Sequence, residues 1–208
     1  MKPNPIIVAL DVESAAEARV LVARLGDSVS FYKVGMELYA AAGMDFVREL
    51  LGQGKDVFLD LKFYDIPETV KRAVAQVART GVRFLTVHAV GSVMRAAAEG
   101  RAASGLKLLA VTVLTSFGRA DLDDLGYNCE VSDMVERRAR QAVEAGMDGI
   151  VASPLEAAAL RRIVGASAIL VTPGVRSAGA DYLVMGRQIT RAADPAGELA
   201  RVLEEIAR

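Results

Sequence analysis

The sequence predicts a (β/α)8 barrel built as a single domain over residues 1–208. Three observations support that prediction. Eight short apolar runs alternate with Ala-, Glu- and Arg-rich amphipathic segments along the whole chain. Gly81, Gly105 and Gly146 sit where helices should stop. Ionisable residues close the first three apolar runs, at the strand ends where parallel α/β folds build their sites.

The first strand is expected over residues 6–11 and ends on Asp11. Ser14, ahead of Ala15 and Glu17, is a good N-cap for a helix over 14–26. The second strand, 30–36, carries Lys33 and leads to a helix over 40–52. The third, 56–62, runs through Val57-Phe58-Leu59 into Asp60-Leu61-Lys62, and Pro67 opens a helix over 67–80. Strand 82–89 and helix 91–103 follow, then strand 107–115 and helix 131–145. Strand 147–152, helix 154–164, strand 168–173, strand 180–185 and a last helix over 194–207 complete the order.

With 208 residues, 52% hydrophobic and 25% charged, the chain suffices for one sizeable core. A net charge of −1 gives no basic surface for nucleic acid and no polybasic membrane patch. No apolar run approaches the ~18 residues that span a bilayer. Cys129 is the single cysteine, so no intrachain disulfide forms. Met1-Lys2-Pro3-Asn4 runs straight into a strand, which leaves no room for a signal peptide, and a cytoplasmic setting is expected.

One connection is too short. Six residues, 175–180, separate the seventh strand from the eighth. A parallel crossover normally takes roughly 10–12 residues with a helix, and six residues reach at most ~21 Å. Either the seventh helix is deleted, or the sequence lacks residues at the Arg176–Ser177 junction. The second reading is preferred, and an intact mass above 22.1 kDa would support it.

The richest segment is Asp60-Leu61-Lys62-Phe63-Tyr64-Asp65. Three charges at the end of a buried strand are costly without a purpose. Alternation puts Asp60 and Lys62 on one face, and a carboxylate beside an ammonium can handle protons. Phe84, Thr86 and His88 share another strand face, and His88, the lone histidine, reads as structural support. Cys129 reads as incidental, Met134, Met147 and Met185 as core, and Asp121, Asp123 and Asp124 as a solvated helix start.

Several motifs together resemble the orotidine 5'-phosphate decarboxylase family in its short bacterial form. They are Ala9-Leu10-Asp11, Tyr32-Lys33-Val34-Gly35, the run from Asp60 to Val70, Val87-His88, Val113-Leu114-Thr115-Ser116, the run from Val171 to Arg176, and the run from Val184 to Thr190. The Asp-x-Lys-x-x-Asp-Ile-Pro-x-Thr segment is the most specific. The resemblance implies decarboxylation of orotidine 5'-phosphate to UMP without metal or redox cofactor. Lys62 would donate the proton within a Lys33-Asp60-Lys62-Asp65 array. Asp11 and Lys33 would bind the ribose region, Thr115 the pyrimidine edge and Gly186 and Arg187 the phosphate, while Pro173 and Arg176 would also bind substrate. Asp65 and Thr69 would come from the partner chain of a homodimer. The family's long loop after the Pro-Gly-Val-Arg run carries a phosphate-gripping glutamine, and no such glutamine lies between Arg176 and Gly186.

Two other functions remain open on the sequence. A magnesium-dependent relative, a 3-keto-gulonate-phosphate decarboxylase or hexulose-phosphate synthase, shares the Asp-x-Lys-x-x-Asp strand but has glutamate at the position of Lys33. A non-catalytic UMP-binding protein would result if the short connection is a true deletion.

Overall fold

The computed structural model describes residues 4–174 and 179–207. The first half runs β1 (Ile6–Ala9), α1 (Ala15–Leu25), β2 (Phe31–Gly35), α2 (Met36–Gly52), β3 (Asp56–Phe63), α3 (Pro67–Val77), β4 (Phe84–His88) and α4 (Gly91–Arg101). The second half runs β5 (Lys107–Val111), α5 (Arg119–Asp124), α6 (Val131–Glu144), β6 (Gly149–Val151), α7 (Ala157–Val164), β7 (Ile169–Pro173), β8 (Tyr182–Met185), α8 (Arg187–Thr190) and α9 (Pro195–Ala207). The eight strands are parallel and close in sequence order, with β8 returning to β1. This is the expected (β/α)8 barrel.

Burial on both faces explains the near-continuous apolar strands. Ile7, Phe31, Phe58, Phe84, Leu109 and Val171 fill the interior. Their alternating neighbours, such as Val8, Tyr32, Val57 and Leu59, pack outward beneath the helices. Near the amino-terminal end, the Arg83 guanidinium lies 5.3 Å from the Phe31 ring centre and bonds to Asp56 and Tyr182. That packing leaves the opposite mouth for chemistry.

The helices follow their local signals. Ser14 caps α1, its hydroxyl accepting the Glu17 N–H at 3.2 Å, and Ala18, Leu21, Val22 and Leu25 form the buried stripe. Asp121 lies in α5, where its carboxylate accepts the Gly118 N–H. Met134, Met147 and Met185 are buried.

Several boundaries differ from expectation. Strand one stops at Ala9, which leaves Asp11 in a loop. Strand five ends at Val111 because its neighbour β6 has only three residues, so Thr115 falls in a turn beyond it. Helix two begins at Met36 and bends at Gly43 (φ 61°) instead of starting at residue 40. Gly81 and Gly146 adopt positive φ, but α4 is ended by Ala102 (φ 49°), not by Gly105.

The short β7–β8 connection closes without a helix among the described residues. Gly174 N–H donates to Val184 O at 2.9 Å, and Asp181 N–H donates to Leu170 O at 2.8 Å. Arg161 of α7 holds this region by donating to the carbonyls of Gly165, Ala168 and Gly179 and to Asp181 Oδ2. One side chain thus ties α7 to the residues just before β8. The Arg176–Ser177 junction and Arg176 itself lie outside the described residues.

Candidate active site

The carboxyl-terminal mouth opens into a cavity of about 350 Å³. Asp11, Lys33, Asp60, Lys62, Thr115, Pro173, Gly186 and Arg187 all line it. Eight of the residues singled out on the sequence therefore meet in one place, drawn from the ends of β1, β2, β3, β5, β7 and β8. Apolar neighbours, among them Phe58, Val111, Val151 and Val184, form the floor and walls.

The charges form a row. Lys33 Nζ donates to Asp11 Oδ1 at 2.8 Å and lies 3.8 Å from Asp60 Oδ2. Lys62 Nζ donates to Asp60 Oδ1 at 2.9 Å. The order is thus Asp11, Lys33, Asp60, Lys62, with opposite signs adjacent throughout. Lys33 is buried at 8% exposure, which requires a carboxylate on either side. The pairs are strong in this recess because water is largely displaced around Lys33 and Asp60.

Asp65 stands apart. It is exposed at the bend before α3, and its Oδ1 accepts the Ile66 N–H at 2.6 Å. Thr69 is also exposed, one turn further on. Neither lines the cavity of its own chain, and the fourth member of the row within one chain is Asp11.

Backbone conformation shapes the array as much as side-chain identity. Lys62 has φ +49°, a left-handed geometry that costs a β-region residue about 1–2 kcal/mol. It falls where the β3–β4 pairing shifts between Leu59 and Phe63. Simple alternation would have put Asp60 and Lys62 in regular register. The bulge instead re-aims Lys62, as bulges near active sites commonly do. Gly35 is the other hidden contributor. A Cβ there would lie 3.1 Å from Lys33 Nζ and 3.3 Å from Asp11 Oδ1. Neither feature has a local sequence signal.

His88 sits at the top of β4, half-buried, with its ring 5.4 Å from that of Tyr64 in an edge contact. Burial pushes its pKa below the ordinary histidine value, and the positive charges of Arg138 and Lys62 act in the same direction. It is absent from the cavity lining, in line with a supporting role. Among the described residues, no group of three or more His, Cys, Asp or Glu side chains is placed to hold a metal ion. No helix among them is long and apolar enough to cross a membrane.

A closed parallel barrel whose carboxyl-terminal mouth gathers paired carboxylates and ammoniums, with an arginine at its edge, defines a TIM-barrel enzyme. The chain belongs to the orotidine 5'-phosphate decarboxylase / HUMPS family, whose model matches residues 4–202. It is 50% identical to an orotidine 5'-phosphate decarboxylase of Rhodopseudomonas palustris strain BisA53, over 97% of this chain and 94% of the relative. It is 48% identical to one of Caulobacter sp. strain K31, over 100% of this chain and 99% of the relative. The crystal structure of orotidine 5'-phosphate decarboxylase from Lactobacillus acidophilus superposes with a TM-score of 0.90 at 36% identity, covering 99% of this chain and 100% of that one.

The Caulobacter alignment spans 227 positions although this chain has 208 residues. That relative therefore carries residues with no counterpart here.

Proposed function

We propose that this protein decarboxylates orotidine 5'-phosphate to UMP without a metal or redox cofactor. The observation that carries the reading is the row of Asp11, Lys33, Asp60 and Lys62 along one side of the cavity. Breaking the bond between C6 and the carboxylate leaves the electron pair on C6 and releases CO2. The pyrimidine ring offers no obvious place to delocalise that pair. Stabilisation then falls to preorganised positive charge, and Lys62 supplies it next to a fixed carboxylate. Lys62 transfers a proton from Nζ to C6 and is recharged from water. Asp60 faces the departing carboxylate, and their repulsion is relieved as CO2 leaves.

The remaining side chains divide the nucleotide between them. Asp11 and Lys33 take the ribose hydroxyls, Thr115 the pyrimidine edge, and Pro173, Gly186 and Arg187 the phosphate side. Arginine suits phosphate because its planar fork can donate two parallel hydrogen bonds. Arg176 would join them.

Lys33 separates this reaction from that of the magnesium-dependent relatives. A divalent cation seated between Asp11 and Asp60 would have to displace or face its ammonium, which already lies 2.8 and 3.8 Å from them.

The functional unit is a homodimer in which Asp65 and Thr69 complete the partner's site. Tyr64 and Ile66, which flank Asp65, are 66% and 70% exposed, an apolar surface suited to a second copy. The composition fits a cytoplasmic enzyme with its one cysteine unpaired.

Both halves of the reading can be checked. Incubating orotidine 5'-phosphate with the protein in EDTA should yield UMP and CO2, and a strict requirement for added magnesium would overturn it. Lys62→Ala and Asp65→Ala subunits, inactive alone, should recover about a quarter of wild-type activity when reassociated, because half the dimers then hold one intact site. No recovery despite subunit exchange would remove the shared site.

A further inference from the structure

Thr86 lies in β4 at the level where β3 leaves regular pairing. Leu59 pairs with Leu85 and Phe63 with Val87, so Thr86 alone stands opposite residues 60–62. Its side chain replaces the missing ladder. Thr86 Oγ1 accepts the Lys62 N–H at 2.9 Å, and its O–H donates to Asp60 Oδ1 at 3.0 Å. The residue is fully buried, so water does not compete for these bonds.

One hydroxyl thereby links the Asp60 carboxylate to the backbone that carries Lys62. It holds the Lys62 backbone in the left-handed region, where a non-glycine residue persists only when its surroundings enforce it. It also distinguishes the two oxygens of Asp60. Oδ1 is shared between Thr86 and Lys62 Nζ, while Oδ2 is turned toward Lys33 at 3.8 Å. Without that bond the carboxylate could rotate and exchange its partners.

We propose that Thr86 is a positioning residue of the site, its buried hydroxyl fixing the Lys62 backbone and the Asp60 carboxylate as one unit. The inference rests on the decarboxylase reading for its kinetic consequences. It does not touch substrate: Thr86 is absent from the cavity lining. Valine has the same shape without either hydrogen-bonding function, and serine keeps both.

The test compares wild type, Thr86→Val and Thr86→Ser by steady-state kinetics and by amide hydrogen exchange at Lys62. In Thr86→Val, kcat should fall by about 30-fold or more with KM within about threefold, the scale of a small misplacement of a catalytic group. Thr86→Ser should return to within about threefold of wild type. The Lys62 amide should exchange slowly in wild type and serine, and fast in valine. Wild-type kcat in the valine variant, or an equal loss in both variants, overturns the proposal. If the wild type itself turns nothing over, the decarboxylase reading fails, and the exchange pattern alone decides the positioning role. Hydroxyl-dependent protection then supports it, and equal protection in all three overturns it. Should the valine variant not fold, Thr86→Cys carries the same comparison.

Discussion

Gly35→Ala should weaken the enzyme while leaving its fold intact. Gly35 has φ −91° and ψ −177°, extended backbone that alanine adopts without strain. The new methyl would lie 3.1 Å from Lys33 Nζ and 3.3 Å from Asp11 Oδ1, so one of the two must retreat by a few tenths of an ångström. Their ion pair is 2.8 Å long. At an effective dielectric of 20, lengthening it to ~3.3 Å costs about 0.9 kcal/mol. The Asp11 side chain is 56% exposed, and solvent screening reduces the figure to roughly half. A cost of ~0.5–1 kcal/mol corresponds to a two- to fivefold loss in kcat/KM. Tm should stay within about 3 °C, because no core contact changes. Gly52→Ala, where a Cβ meets nothing within 4 Å, is the control. Steady-state decarboxylation and a thermal melt on both variants decide the matter. Equal kcat/KM in the two variants would refute the crowding argument, and a large Tm loss in Gly35→Ala would show that the fold, not the ion pair, needs the glycine.

Other outcomes follow from the same geometry. Arg161→Met removes the clip on the β7–β8 connection, leaving carbonyls and Asp181 without their charged donor. A loss of ~2–4 kcal/mol, or about 5–15 °C in Tm, is expected by calorimetry. His88 has a depressed pKa, so the unfolded chain binds the proton more readily than the folded one. Stability is therefore full above the unfolded value near 6.5 and declines as pH falls below it toward the folded value. Denaturant unfolding from pH 7.5 to 5 should show that decline, and His88→Gln should flatten it. Ile66→Asp should lower the mass measured by light scattering from dimer to monomer and abolish turnover together.

Much of this was legible in the sequence because it is written in local pattern. Eight apolar runs gave the strand count, and charges at the ends of the first three pointed to the mouth of the barrel. Asp11, Lys33, Asp60, Lys62, Thr115, Pro173, Gly186 and Arg187 line the cavity. What escaped depends on cross-strand geometry. Period-two alternation does not encode the β3–β4 register shift, so the left-handed Lys62 and its anchor Thr86 could not be placed. The role of Gly35 depends on two side chains arriving from other strands. The apolar run that continues to Leu114 predicts Thr115 at a strand end, but the ladder stops when the three-residue β6 runs out. Within one chain the row is Asp11-Lys33-Asp60-Lys62, and Asp65, expected from a partner chain, lies beyond the strand at an exposed bend outside its own chain's cavity.

The short β7–β8 connection was recognisable by arithmetic alone. Its consequence was not, because Arg161 sits on a preceding helix and nothing in its neighbourhood marks it as a clip.

The central claim is that Lys62 delivers the proton to C6 from within a metal-free charge row. The most direct measurement follows loss of orotidine 5'-phosphate absorbance in EDTA for wild type and Lys62→Ala, with UMP binding measured on both. Metal-independent turnover in wild type, lost by at least about 10³-fold in a variant that still binds UMP, is the predicted result. A Lys62→Ala protein that retains turnover, or a wild type that binds UMP and decarboxylates nothing, would contradict it.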